Sequence, residues 1–105
     1  MGETNLVMVR GDTLSFAMEI EGLDQDLDTA YFTAKANYTT NTPLFRKSLE
    51  NGIEKVSAGL YRIRVAPSDT AGAQTGMYFY DLEIGVNSDI FTIMRGSLSL
   101  EPEVS

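Results

Sequence analysis

A chain of 105 residues without cysteine or histidine cannot form a disulfide, hold a thiolate-bound metal or use the commonest general base. Fifteen acidic and eight basic side chains leave a net charge of −7, which repels phosphate backbones and anionic membrane surfaces alike. Apolar residues make up 43%, ten of them Tyr or Phe, enough for one domain (residues 1–105) around a single core. No apolar run approaches the ~20 residues that span a bilayer. The opening Met1 to Asp12 has neither the basic start nor the apolar stretch of a signal peptide. Leu6 also stands where a myristoylation motif wants Ser or Thr. Cytoplasmic synthesis without export is the expectation.

Arg10-Gly11-Asp12 reads as a turn. Beyond it Leu14, Phe16, Met18 and Ile20 alternate with Ser15, Ala17, Glu19 and Glu21, the pattern of a half-buried antiparallel strand. Gly22 to Asp28 is a loop. Ala30, Phe32, Ala34, Ala36 and Tyr38 then alternate with Tyr31, Thr33, Lys35 and Asn37, and Thr39 to Pro43 breaks the run. Asn51-Gly52 predicts a type I′ hairpin between Leu44–Leu49 and Ile53–Val56. Ala58-Gly59 precedes a strand whose Tyr61, Ile63 and Val65 share one face. Pro67 to Gln74 is the one helical candidate. Pro67 suits a helix start, Ser68 or Asp69 supplies a cap, and Gly72 limits it to about one turn between the sheets.

Gly76 to Gly96 is a β-hairpin with a buried side. Tyr78, Tyr80, Leu82 and Ile84 share a face, Asn87-Ser88-Asp89 turns the chain, and Asp89 to Met94 returns. Gly76 suits unusual backbone angles, and Gly96 marks a bulge or another strand's close approach. About seven to nine short strands with at most one helical turn predict an all-β, antiparallel sandwich of immunoglobulin-like type.

The order of motifs supports a comparison. Arg10-Gly11-Asp12-Thr13-Leu14, Ala30 to Lys35, Gly59 to Ile63, Pro67 to Thr70, Gly76 to Leu82 and Phe91 to Leu100 follow one another along roughly Val7 to Val104. This resembles the immunoglobulin-like sandwich of tailed-bacteriophage structural proteins, especially the N-terminal domain of baseplate upper proteins. The resemblance implies a non-enzymatic virion protein, made in the bacterial cytoplasm, that acts in tail or baseplate assembly. Its partners would be other tail proteins or further copies of itself. In such proteins a longer C-terminal part usually follows; with Ser105 as the last residue, a small stand-alone virion or prophage protein is the expectation.

The contact residues expected are Leu60, Met77, Phe79 and Met94, with Leu98 and Leu100 on an edge strand, Ser97 to Leu100. Phe79 shares its face with Asp81 and Glu83, where a solvent-facing strand is ordinarily polar. Asp81 is expected to accept from a backbone amide or to pair with Arg62 or Arg64. No catalytic, cofactor-binding or metal-binding residue is assigned. Arg10-Gly11-Asp12 matches a short adhesion motif, although a turn explains it. Asp24, Asp26 and Asp28 have the spacing that opens a Ca²⁺ loop, but Thr29 and Lys35 stand where an EF-hand needs Gly and Glu. A looser Ca²⁺ site or a solvated acidic loop is left. Asp69 with Asp81 or Glu83 is the one conceivable glycosidase pair, set against turn capping and surface charge. Tyr31, Tyr38, Tyr61, Phe79 and Phe91 are the aromatics for a ligand platform, and with them the alternative function is a small carbohydrate- or peptide-binding module.

Overall fold

The computed structural model describes residues 4–23, 25–37, 39–40 and 42–103. Eight strands follow in chain order: β1 (Leu6–Val9), β2 (Leu14–Glu19), β3 (Thr29–Lys35), β4 (Phe45–Leu49), β5 (Gly52–Ser57), β6 (Leu60–Val65), β7 (Gly76–Val86) and β8 (Asp89–Glu101). A single 3₁₀ turn, Pro67–Asp69, joins β6 to β7. It forms where Pro67 presets the backbone and the Asp69 carboxylate accepts from the Ala66 amide at 2.7 Å. Asp69 also takes an ion pair from Lys47 at 2.7 Å, which ties the turn to β4.

The ladder runs β1-β8-β7-β3-β4-β5-β6-β2. It bends between β4 and β5, which pair in parallel over only Ser48–Gly52 and Leu49–Ile53. Past the bend, β5, β6 and β2 lie over the layer formed by β1, β8, β7, β3 and β4. Ring contacts show the two layers face to face: Phe16 of β2 stands edge-on to Phe32 of β3, centroids 5.4 Å apart, although three strands lie between them along the ladder. Phe32 also meets Phe45 at 5.4 Å and Tyr80 at 5.6 Å. Each such pair adds roughly 0.5–1.5 kcal/mol beyond its buried area.

This arrangement is an immunoglobulin-like sandwich. In antibody domains the strands equivalent to β2, β3 and β7 bring a disulfide against a tryptophan. Here Phe16, Phe32 and Tyr80 meet on those three strands, so aromatic packing takes the place of the cross-link. Two residues before Tyr80, the Tyr78 hydroxyl donates back to the Gln74 carbonyl at 2.7 Å, forming the tyrosine corner of this fold. Around the rings Ile53, Tyr61, Ile63, Val65, Leu82, Leu98 and Leu100 are buried, each worth roughly 1.5–3 kcal/mol for a large aliphatic or aromatic side chain. The buried Tyr61 hydroxyl accepts from the Leu27 amide at 3.0 Å.

Three expectations are corrected. Asn51-Gly52 is not the centre of a hairpin: Ser48 and Asn51 exchange backbone hydrogen bonds at 3.0 and 2.9 Å around Leu49-Glu50, with Glu50 at φ 66°. A hairpin there would keep β5 in the layer of β4, whereas β5 crosses to pair with β6. Gly52 is needed for another reason, because its φ of 100° strains any other residue and a Cβ there would lie 3.0 Å from the Arg64 carbonyl oxygen. Leu98 and Leu100 are 0% and 1% exposed and belong to the core, so neither reaches a partner. Their strand is interior, flanked by β1 and β7; the outermost strands are β1 and β2. The third strand ends at Lys35: Ala36 is exposed beyond it, and Tyr38 lies outside the described residues.

Candidate functional site

Strand register assembles a patch on the outer face of the five-stranded layer. Lys35, Phe79 and Ser97 fall in one row across β3, β7 and β8; Arg46, Thr33, Asp81 and Arg95 in the next, now including β4; and Ser48, Tyr31, Glu83 and Thr92 in a third. Their neighbours of opposite parity, among them Phe32, Ala34, Phe45, Tyr80 and Leu82, are buried. Period-2 alternation therefore delivers all of these side chains to the same side. Phe79 is half-buried here, beside a groove of about 600 Å³ whose lining includes Thr33, Lys35, Asn37, Asp81 and Arg95. Arg46 lies 4.2 Å above the Tyr31 ring, a cation–π contact worth roughly 0.5–1 kcal/mol at such a site.

Charge distinguishes this face from the rest of the molecule. Lys35, Arg46 and Arg95 face two carboxylates, Asp81 and Glu83, so the patch is slightly basic on a chain of net charge −7. Asp81 stands opposite Arg95, not Arg62 or Arg64, which lie on β6 in the other layer.

The structure brings together only part of the expected contact set. Met77 shares the Phe79 side of β7 and is 56% exposed. Leu60 begins β6 in the other layer, paired with Glu19 and Ser57, and forms no patch with Phe79. Met94 points to the opposite side of its sheet, opposite Leu82, and packs against the core. Of the expected aromatics, Tyr31 and Phe79 reach the patch, Tyr61 is core, Phe91 is exposed near the β7–β8 turn, and Tyr38 is outside the described residues.

The other motifs find structural employment. Arg10 is bound to Glu103 at 2.5 and 3.2 Å and to the Ala73 carbonyl at 2.9 Å, while Gly11 donates to the buried Thr70 hydroxyl at 2.9 Å. That turn clasps the end of β8 to the corner before β7 and leaves no extended Arg-Gly-Asp loop to present. Asp24 lies outside the described residues; Asp26 pairs with Lys55 at 2.6 Å and Asp28 accepts from the Asn87 amide at 3.0 Å. Among the described residues, no three His, Cys, Asp or Glu side chains come close enough to hold a metal. Asp69 is committed to Ala66 and Lys47 and is not among the residues lining the groove beside Asp81.

Lys35, Arg46 and Arg95 were missed from the sequence. They alternate correctly on their own strands, but register alone puts them beside Phe79.

No protein-family model matches the chain, and no curated protein matches it. Among solved structures it is similar to one described as "Parallel homodimer structures of the extracellular domains of the voltage-gated sodium channel beta4 subunit explain its role in cell-cell adhesion". That likeness has a TM-score of 0.50 at 15% identity and covers 99% of this chain and 96% of the other. The fold is immunoglobulin-like. At that identity the likeness speaks to architecture alone.

Proposed function

We propose that this protein is a non-enzymatic association module that binds other proteins, further copies of itself included, through the outer face around Phe79. The observation that carries the reading is the Phe79 ring, half-buried in a row with Lys35 and opposite-charge neighbours where solvent-facing strands are ordinarily polar. An aromatic centre with arginine near it and a polar rim around it is the usual composition of a protein contact. That a protein of the same fold forms parallel homodimers is in keeping with it. The biological setting we propose is a phage or prophage tail or baseplate, supported by the motif order from Arg10-Gly11-Asp12 to Leu100.

Light scattering after size exclusion, over a range of concentrations, tests the self-association arm. A concentration-stable oligomer that Phe79→Ala dissociates, with an unchanged melting temperature, is the expected result. A monomer that also fails to bind candidate tail proteins would overturn the reading. The alternative is a carbohydrate- or peptide-binding module, favoured by one observation: the groove of about 600 Å³ beside Phe79 is of small-ligand size. It predicts a monomer whose melting temperature rises with a glycan or peptide, because a ligand that binds only the folded state stabilises it.

A further inference from the structure

A second surface, distinct from the Phe79 face, lies where the rolled ladder fails to close. β2 is the last strand, and beyond β6 no described strand pairs with it. On the other layer, β8 is paired with β1 only from Leu98 to Glu101, with two further backbone bonds, from the Thr4 amide to the Arg95 carbonyl and from the Arg10 amide to the Glu101 carbonyl. The side of β8 away from β7 therefore has no strand partner among the described residues from Asp89 to Met94.

An apolar groove runs between these two strand edges. One stretch, about 430 Å³, is lined by Phe16, Met18, Ile20, Leu82, Ile93 and Met94. The next, about 520 Å³, continues past Ile20 and Leu23 to Ile84, Ile90 and Phe91. Ile90 and Phe91 are 58% and 49% exposed, a large apolar outlay for a hairpin end. The β-bulge at Ile93, where the register passes from Leu82–Met94 to Glu83–Thr92, turns this part of β8 out of step with its lower half. Backbone donors and acceptors on two facing edges, with an apolar floor between them, are what an added strand needs.

Charge decides the occupant. Glu19 and Glu21 line the groove, Asp89 adjoins it beside Ile90, and no Lys or Arg is among its described lining residues. A second copy would bring its own acidic edge and its −7 charge against these carboxylates. We propose that the seam receives an extended segment of a partner protein, apolar at alternate positions and carrying Lys or Arg between them. Its apolar side would rest on Phe16, Ile20, Ile93 and Phe91, and its basic side chains would meet Glu19 and Glu21. A strand matching the six residues of β2 spans roughly 20 Å.

The probe is a synthetic heptapeptide, acetyl-Lys-Val-Lys-Ile-Lys-Val-Lys-amide, titrated into the intact protein by isothermal titration calorimetry. Amide hydrogen exchange is followed in parallel. The expected result is saturable binding, with new protection confined to Phe16–Ile20 and Ile90–Met94. Glutamate in place of every lysine of the peptide should weaken binding at least tenfold. Phe91→Lys should do the same at an unchanged melting temperature, since Phe91 is half exposed. No binding, equal binding of the acidic peptide, or protection at Thr33 and Phe79 instead would each overturn the proposal. So would concentration-dependent protection of the same amides without peptide, because the occupant would then be a second copy.

Discussion

The Tyr80 hydroxyl donates to the Thr4 carbonyl at 2.6 Å, reaching from β7 across β8 to the residues that lead into β1. Its partner in register on β8 is Gly96, and the missing side chain there lets the Thr4 backbone approach β8 closely. Burial pushes the Tyr80 phenol above its ordinary value, so the neutral, donating form is the one the fold favours. Tyr80→Phe keeps the ring contact with Phe32 and loses the bond, at a cost of about 1 kcal/mol. A raised folded pKa gives stability that is full below the unfolded value and lost as pH rises through the folded one. The variant should therefore lose less stability than the parent above pH 10, measured by urea denaturation.

Gly96→Ala is expected to be the more damaging change. A Cβ there would collide with the Thr4 carbonyl oxygen, which is backbone and anchored by the Thr4 amide on Arg95. Overpacking of this kind costs roughly 1–3 kcal/mol. Hydrogen exchange should rise at Leu6 to Val9 before it rises elsewhere, because β1 is an outer strand whose one ladder neighbour among the described residues is β8. Unaltered exchange in β1 would show that Gly96 is not what seats it.

Ser88→Gly should stabilise the protein. Asn87 and Ser88 have φ of 53° and 70°, both positive as in a type I′ turn, closed by the Val86–Asp89 pair. Asn tolerates that conformation, whereas Ser is strained by roughly 1 kcal/mol, part of which the added freedom of an unfolded glycine offsets. A net gain of about 0.5 kcal/mol in chemical denaturation is expected. A loss would mean that the Ser88 side chain contributes something the turn geometry does not explain.

Acid should loosen the clasp between Arg10 and Glu103. The hydrogen bond from Arg10 holds the Glu103 carboxyl below its ordinary value of 4.5. A depressed folded pKa contributes stability above the unfolded value and loses it as pH falls through the folded one. Between pH 5 and pH 3, experimental bounds about one unit either side of the reference glutamate pKa, the melting temperature of the parent should fall more steeply than that of Glu103→Gln. Parallel slopes would remove the clasp from the stability account.

Much of the strand pattern was legible because it is local. Tyr61, Ile63 and Val65 are all buried and Arg62 and Arg64 exposed, as their alternation implies. Local pattern misled at Asn51-Gly52, where turn propensity was outweighed by the need to carry β5 into the second layer. It misled again at Leu98 and Leu100, since a strand near the end of the chain need not lie at the end of the sheet.

The sequence by itself determined that the chain is all-β, that it has no thiol or imidazole chemistry, and that Phe79 stands on a polar side of its strand. These follow from composition and from a two-residue period, which neighbouring residues impose on one another. Only the tertiary structure decided which strands are neighbours. It set Phe16, Phe32 and Tyr80 ring to ring, ranged Lys35, Thr33 and Arg95 around Phe79, and left an open seam between β2 and β8. Each of those depends on pairing between residues far apart in the chain, where the energy comes from burying whole faces together and no short motif records the choice.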